Sequence, residues 1–283
     1  MADKPRFGFD DQFLQRQRRR GEGGDHSAPQ RPEIADDDLG PPLMPDGDDV
    51  GPAAPQSAVQ PPSLADAVEF AENPEPRCAC VLLLDTSGSM AGRPIAALNE
   101  GLRTFRESVA QDPLAARRVE VAIITFDSQV TVVQDFVTVD KFRPPTLQAR
   151  GRTLTGVAVN RALDMLEARK HTYRQNGIAY YRPWAFLITD GEPQGNPPGE
   201  VQRAVDRIGE AEKHRHVAFF AVGVEHANMD KLRRMVVREP VQLVGLNFSS
   251  MFMWLSSSMG RISHSNVGED MVPLPSPDGW AVV

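Results

Sequence analysis

Six short apolar segments, separated by stretches with helical periodicity, restrict this chain more than any other feature. They are 79–85 (ACVLLLD), 119–126 (VEVAIITF), 129–137 (QVTVVQDFV), 184–190 (WAFLITD), 217–224 (VAFFAVGV) and 241–246 (VQLVGL). Most are nearly continuous apolar runs, the mark of strands buried on both faces of a parallel sheet. Between them, Ile95, Leu98, Leu102 and Phe105 recur at spacings of three and four over 94–110, with Pro94 at the first helical position. Similar periods run over 155–170 (Val159, Leu163, Leu166) and 200–214 (Val201, Val205, Ile208), and further helices are expected at 229–237 and 248–262. Only Asp127 and Ser128 separate the second and third segments, too few residues for a parallel crossover. Those two segments should form a hairpin that leaves an antiparallel edge strand. The expected fold is therefore α/β: a doubly wound, mostly parallel six-stranded sheet with one antiparallel edge strand and helices on both faces.

Charge divides the chain. Residues 1–76 hold 7 Lys and Arg against 16 Asp and Glu, a net of −9, whereas the remainder is net +2. Half of the 24 prolines also precede position 77, and aromatic residues are scarce there. Residues 1–76 thus read as a disordered acidic, Pro-rich tail, 77–265 as the folded domain, and 266–283 as an extended tail with Trp280 as its anchoring aromatic. Within the first tail, Arg16, Arg18, Arg19 and Arg20 read as a solvated, self-compensating cluster. Residues 64–72 (LADAVEFAE) are expected to dock on the domain as a short amphipathic turn ended by Pro74 and Pro76.

The near-neutral domain argues against a nucleic-acid groove. No stretch approaches the ~18–20 apolar residues of a membrane helix. The opening Met-Ala-Asp-Lys-Pro-Arg lacks the apolar core of a secretion signal. Cys78 and Cys80 stand too close for a relaxed disulfide and are too few for a zinc site, so they read as reduced, buried thiols. A cytoplasmic protein with neither a membrane nor a nucleic-acid partner is expected.

In an open doubly wound sheet, ligands bind beyond the carboxyl ends of the strands, where the winding reverses. Three polar clusters are expected at that edge: Asp85-Thr86-Ser87-Gly88-Ser89 after the first strand, Thr189-Asp190-Gly191 after the fourth, and Gly151-Arg152-Thr153 before the helix at 155. If strands one and four are neighbours, Asp85 and Asp190 face one crevice. Two carboxylates brought together repel unless a cation compensates them. Hard oxygen donors suit Mg²⁺ or Mn²⁺. Each cluster alone reads as a cap or a turn. Their joint placement points to a divalent metal held by Asp85, Ser87, Ser89, Thr153 and Asp190. The few charges supplied would leave the metal electrophilic and one position open.

The Asp85-x-Ser87-x-Ser89 motif, Thr153 and the Thr189-Asp190-Gly191 turn resemble the metal-ion-dependent adhesion site of von Willebrand factor type A domains, over roughly 77–262. LLLDTSGSM, Pro-Ile-x-x-Leu-Asn, ITFDS and LITDGEP further resemble the bacterial cytoplasmic TerY-like group associated with tellurite resistance. The resemblance implies a Rossmann-like domain. It implies Ser87, Ser89 and Thr153 as direct ligands, with Asp85 and Asp190 binding directly or through water. Mg²⁺ is the implied ion, with Mn²⁺ and Ca²⁺ as alternatives. A protein partner would supply a carboxylate, in a stress-response or signalling complex alongside kinase or phosphatase proteins.

Two other functions compete. Asp85 and Asp190 could hold Mg²⁺ against a phosphate for a hydrolase or phosphotransferase. Against this, the chain has no second Asp of an aspartyl phosphatase, no Walker-type loop and no nucleophile elbow. His171, His214, His216, His226 and His264 read as surface or structural residues, so no general base is evident. Alternatively, the Pro-rich tails could themselves dock on partners, with Trp280 as the anchor. A non-enzymatic binding module is the leading expectation.

Overall fold

In the computed structural model, which describes residues 64–268 and 272–282, the apolar runs become strands of one sheet. In chain order the elements begin with α1 (Leu64–Glu72), β1 (Cys78–Asp85), α2 (Arg93–Ala110), α3 (Pro113–Arg118), β2 (Val119–Phe126) and β3 (Val130–Thr138). They continue with α4 (Thr155–Gln175), β4 (Trp184–Thr189), α5 (Glu200–Lys213), β5 (Ala218–Gly223) and α6 (Met229–Met235). The chain closes with β6 (Val241–Leu243), α7 (Phe248–His264) and β7 (Ala281–Val282). The acidic run and the arginine cluster of residues 1–63 lie outside the described residues.

The strand order is β3-β2-β1-β4-β5-β6-β7. The central strand β1 is parallel to β2 on one side and to β4 on the other, so the winding reverses between β1 and β4. Strand β3 pairs antiparallel with β2 through a tight turn of three residues, Asp127 to Gln129, one more than the expected two-residue gap, and the hairpin forms as expected. One expectation is corrected: among the described residues the sheet has seven strands and two antiparallel edges. The added strand is β7, which pairs Ala281 and Val282 with Leu243 and Gln242 of β6. Two residues following a Pro-rich stretch are too short for any period to register.

The burial explains the sequence pattern. All eight residues of β1 and all six of β4 and of β5 are buried. Ala79, Val81 and Leu83 pack in one cluster with Val159, Leu163 and Leu166 of α4 and with Ala204 and Ile208 of α5. The pleat sends Cys80, Leu82 and Leu84 to the opposite face. There α2 and α7 pack closely, and the absent side chain of Gly101 makes room for the ring of Phe252. Burial pushes the Cys78 thiol up to about 12 and Cys80 upward as well, which leaves both inert. Helix α1 docks through Phe70, whose ring lies 5.2 Å from the guanidinium carbon of Arg77 and 5.1 Å from that of Arg169.

Trp280 is buried, its ring 5.3 Å from that of Trp254 on α7, and Trp254 Nε1 donates to Pro275 O at 2.8 Å. Its anchoring partner is thus this domain, which corrects the reading of Trp280 as a free docking anchor. Among the described residues, no helix is long and apolar enough to cross a membrane.

Candidate metal centre

Strand β1 ends at Asp85, and its neighbour β4 ends one residue before Asp190. Their parallel pairing therefore brings the two carboxylates to the same edge. Asp85 is fully buried. Its Oδ1 accepts from Ser87 N at 2.8 Å, and its Oδ2 accepts from Thr189 Oγ1 at 2.5 Å. The backbone then turns through Gly88–Met90. That turn sets the Ser87 and Ser89 hydroxyls 3.0 Å apart, and Ser89 Oγ donates to Asp190 Oδ1 at 2.8 Å. Asp85, Ser87, Ser89 and Asp190 thereby form one bonded chain across the crevice.

Thr153 reaches the crevice from a third loop, held by its neighbours' backbones. Gly88 N donates to Gly151 O at 3.1 Å, Arg150 N to Thr86 O at 2.7 Å, and Leu154 N to Asp127 O at 3.2 Å. From the other side, Gln194 N and Asn196 Nδ2 both donate to Thr153 O, while Asn196 Oδ1 accepts from Gly156 N at the start of α4. A methyl group added at Gly191 would sit 3.3 Å from Thr153 Oγ1 and 3.7 Å from Asp85 Oδ2. Both oxygens therefore border the same small space, kept open because residue 191 has no side chain. All five residues singled out from the sequence converge here.

Both carboxylates of this cluster are costly to hold charged without compensation. Burial pushes the Asp85 carboxyl up to about 6, against hydrogen bonds from Ser87 and Thr189 that pull it down. Burial also raises Asp190, with a further push from Glu225. Among the described residues, no three His, Cys, Asp or Glu side chains gather into a cluster. A metal here would have to draw on hydroxyls as well, and Ser87, Ser89 and Thr153 offer three. An all-oxygen set of two carboxylates and three hydroxyls fits a hard divalent ion.

Sequence reasoning missed the supports. Thr189 fixes Asp85, and Asn196 fixes the Thr153 loop; a Thr directly before a strand-end Asp is the one local hint of the former. Beside the centre lies a small pocket lined by Thr155, Gly191, Asn228, Leu232 and the paired Glu192 and Lys231.

Residues 80–250 match the family model described as the von Willebrand factor type A domain. Among solved structures, the chain resembles a von Willebrand factor type A protein from Catenulispora acidiphila at 17% identity, covering 66% of this chain and 43% of that one, with a TM-score of 0.47. It resembles the pilus adhesin SpaC from Lactobacillus rhamnosus GG in its open conformation at 15% identity, covering 66% and 30%, with a TM-score of 0.52. It also resembles the vWF domain of the type V pili tip protein Mfa5 from Porphyromonas gingivalis at 11% identity, covering 68% and 98%, with a TM-score of 0.50. The chain thus spans less than half of the first two proteins and nearly all of the third. At these identities the likeness is one of fold. No curated protein matches the chain.

Proposed function

Because the chain belongs to the von Willebrand factor type A domain family, we propose that it is a metal-dependent protein-binding module whose ion is held by Asp85, Ser87, Ser89, Thr153 and Asp190. The observation that carries this reading is the bonded chain from Asp85 through Ser87 and Ser89 to Asp190, closed by Thr153 around the space beside Gly191. When bound, a divalent cation would supply positive charge to two buried carboxylates and a vacant position for an incoming oxygen ligand. The residues themselves orient that set. Thr189 holds Asp85, the Gly88–Met90 turn aims both serines, and Asn196 with Gln194 fixes the loop behind Thr153.

Binding rather than turnover is the reading because the Ser89 hydroxyl is tied to a carboxylate and to Ser87. Neither is an imidazole or amine that would activate it as a nucleophile. Mg²⁺ is the proposed ion, with Mn²⁺ and Ca²⁺ as alternatives, and a protein partner completes its coordination with a carboxylate. The body of the module is taken as 77–265, flanked by the acidic tail 1–76 and the segment 266–283. The resemblance of LLLDTSGSM and LITDGEP to the TerY-like group supports a cytoplasmic role in a tellurite-related stress or signalling complex, with kinase or phosphatase neighbours.

The test is capture from the native cell with the full chain as bait, in Mg²⁺ and in EDTA. A partner retained only with Mg²⁺, and lost with Asp190→Ala, is the expected result. Capture indifferent to both would defeat the reading.

A further inference from the structure

Two arginines stand on the loop that delivers Thr153, and nothing in the metal-binding reading uses them. Arg150 and Arg152 are exposed, Arg150 with 79% of its side chain open. Their backbones are fixed: Arg150 N bonds Thr86 O beside the Asp85 motif, and Arg152 N donates to Ser128 Oγ at 3.0 Å. Gly151 between them has φ 75°, and a methyl there would lie 2.5 Å from Ser128 Oγ, so the loop is pinned against the β2–β3 turn. The Arg152 side chain lies over Gly195 of the facing loop, with Nη1 3.6 Å from where that residue's Cβ would be. Arg150 Nε donates to Asp127 Oδ2 at 3.2 Å, but that carboxylate is mostly buried and its Oδ1 already accepts from Gln129 N, whereas the guanidinium itself stays open to solvent on its other donors. Arg93 adds a third exposed guanidinium four residues after Ser89. On the opposite rim, Glu192 is already paired with Lys231.

The loop on the Thr153 side of the crevice therefore carries accessible guanidinium groups on a pinned backbone, in a domain that is otherwise near neutral. Guanidinium forks match carboxylates in a bidentate geometry that a lone cation does not. We propose that the partner segment is acidic beyond its metal-binding residue, with a second carboxylate beside the first taken by Arg150 and Arg152. This rests on the metal-dependent reading of the same crevice. The metal would set whether a carboxylate binds, and the arginines which acidic sequence is preferred. Holding both groups on a pinned loop lowers the ordering cost of that recognition.

The test uses the full chain with Mn²⁺ and two labelled synthetic peptides, one with three successive aspartates and one with a single aspartate between asparagines. The wild type should prefer the triple-aspartate peptide by about tenfold, the scale of one good charge-assisted contact. Arg150→Gln with Arg152→Gln should erase that preference while leaving Mn²⁺ affinity, read by calorimetry, unchanged. A preference that survives in the double variant, or no peptide preference in a wild type that binds Mn²⁺, overturns the arginine assignment. A wild type that binds no Mn²⁺ instead overturns the metal reading on which it rests.

Discussion

Ser89 Oγ donates to Asp190 Oδ1 at 2.8 Å across 101 residues of sequence, joining the loop after β1 to the loop after β4. A hydroxyl that donates to a carboxylate in this way also presents its lone pairs to a shared cation. Asp190→Ala, or Ser87→Ala with Ser89→Ala, should therefore abolish Mg²⁺ or Mn²⁺ binding in calorimetry. The fold should survive, because none of these side chains belongs to the apolar core. The wild type should gain thermal stability with added metal by mass action, about 2.7 kcal/mol at a hundredfold excess over Kd, and the variants none. Unchanged metal affinity in the variants would remove the site.

Gly191→Ala tests the space itself. The new methyl would press on Thr153 Oγ1 at 3.3 Å and stand 3.7 Å from Asp85 Oδ2, within the volume an ion would share. Gly191 is not among the positive-φ glycines, so an alanine fits the backbone there. The expected outcome is metal affinity weakened at least about tenfold with a change in unfolding free energy of about 1 kcal/mol or less. An alanine variant that binds metal like the wild type would place the ion elsewhere.

The metal-free protein should respond to pH through Asp85. Its folded value is raised to about 6 from an ordinary 3.8 by burial. The folded state thus holds the proton more tightly, and this contribution to stability is full below about pH 4 and lost as pH rises through 6. Asp85→Asn removes the effect. Without metal, the variant should be more stable than the wild type at pH 7.5, by up to about 3 kcal/mol, and the gap should close toward pH 4. Denaturant midpoints across that range decide it; a gap independent of pH would contradict the assignment.

The parts of the crevice were legible because each stands where a local pattern changes. Asp85 and Asp190 each follow an apolar run, and Thr153 precedes a helical period. Six of the seven strands and the β2–β3 hairpin follow from the same periodicities. What escaped was either too short or too distant for a period to show. Helix α3 spans six residues, too few for an apolar repeat, although Asp112 capping Leu114 N and Ala115 N just ahead of Pro113 is a readable start signal. Strand β7 is shorter still. The Thr189–Asp85 bond spans 104 residues, and no single-segment pattern encodes which Thr will face which Asp. Glu120, lying inside VEVAIITF, is a charge in an apolar run, but its partners, Arg77 just ahead of β1 and Arg169 and Tyr173 of α4, lie more than 40 residues away in sequence.

Those partners make the opposite end of the sheet a separate test. Glu120 is fully buried at the start of β2, about six residues and about 20 Å along the strand from the crevice edge. Its Oε1 accepts from Arg77 Nε at 2.8 Å and Arg169 Nη2 at 2.9 Å, and its Oε2 accepts from Arg169 Nε at 2.8 Å and from the Tyr173 hydroxyl. The same two guanidinium groups cover Phe70 of α1, and Glu69 of that helix pairs with Arg169 at 3.0 Å. Removing the central anion would leave buried positive charge undercompensated, which typically costs about 3–5 kcal/mol. Glu120→Gln should therefore lower the denaturant midpoint sharply and expose α1 to limited proteolysis near Phe70. Glu120→Ala should do so at least as strongly. Metal affinity in whatever fraction stays folded should match the wild type, because no part of this network touches Asp85, Ser87, Ser89, Thr153 or Asp190. A Glu120→Gln protein with an unchanged midpoint would mean that α1 is held by Phe70 packing alone and that the buried carboxylate contributes no net stability.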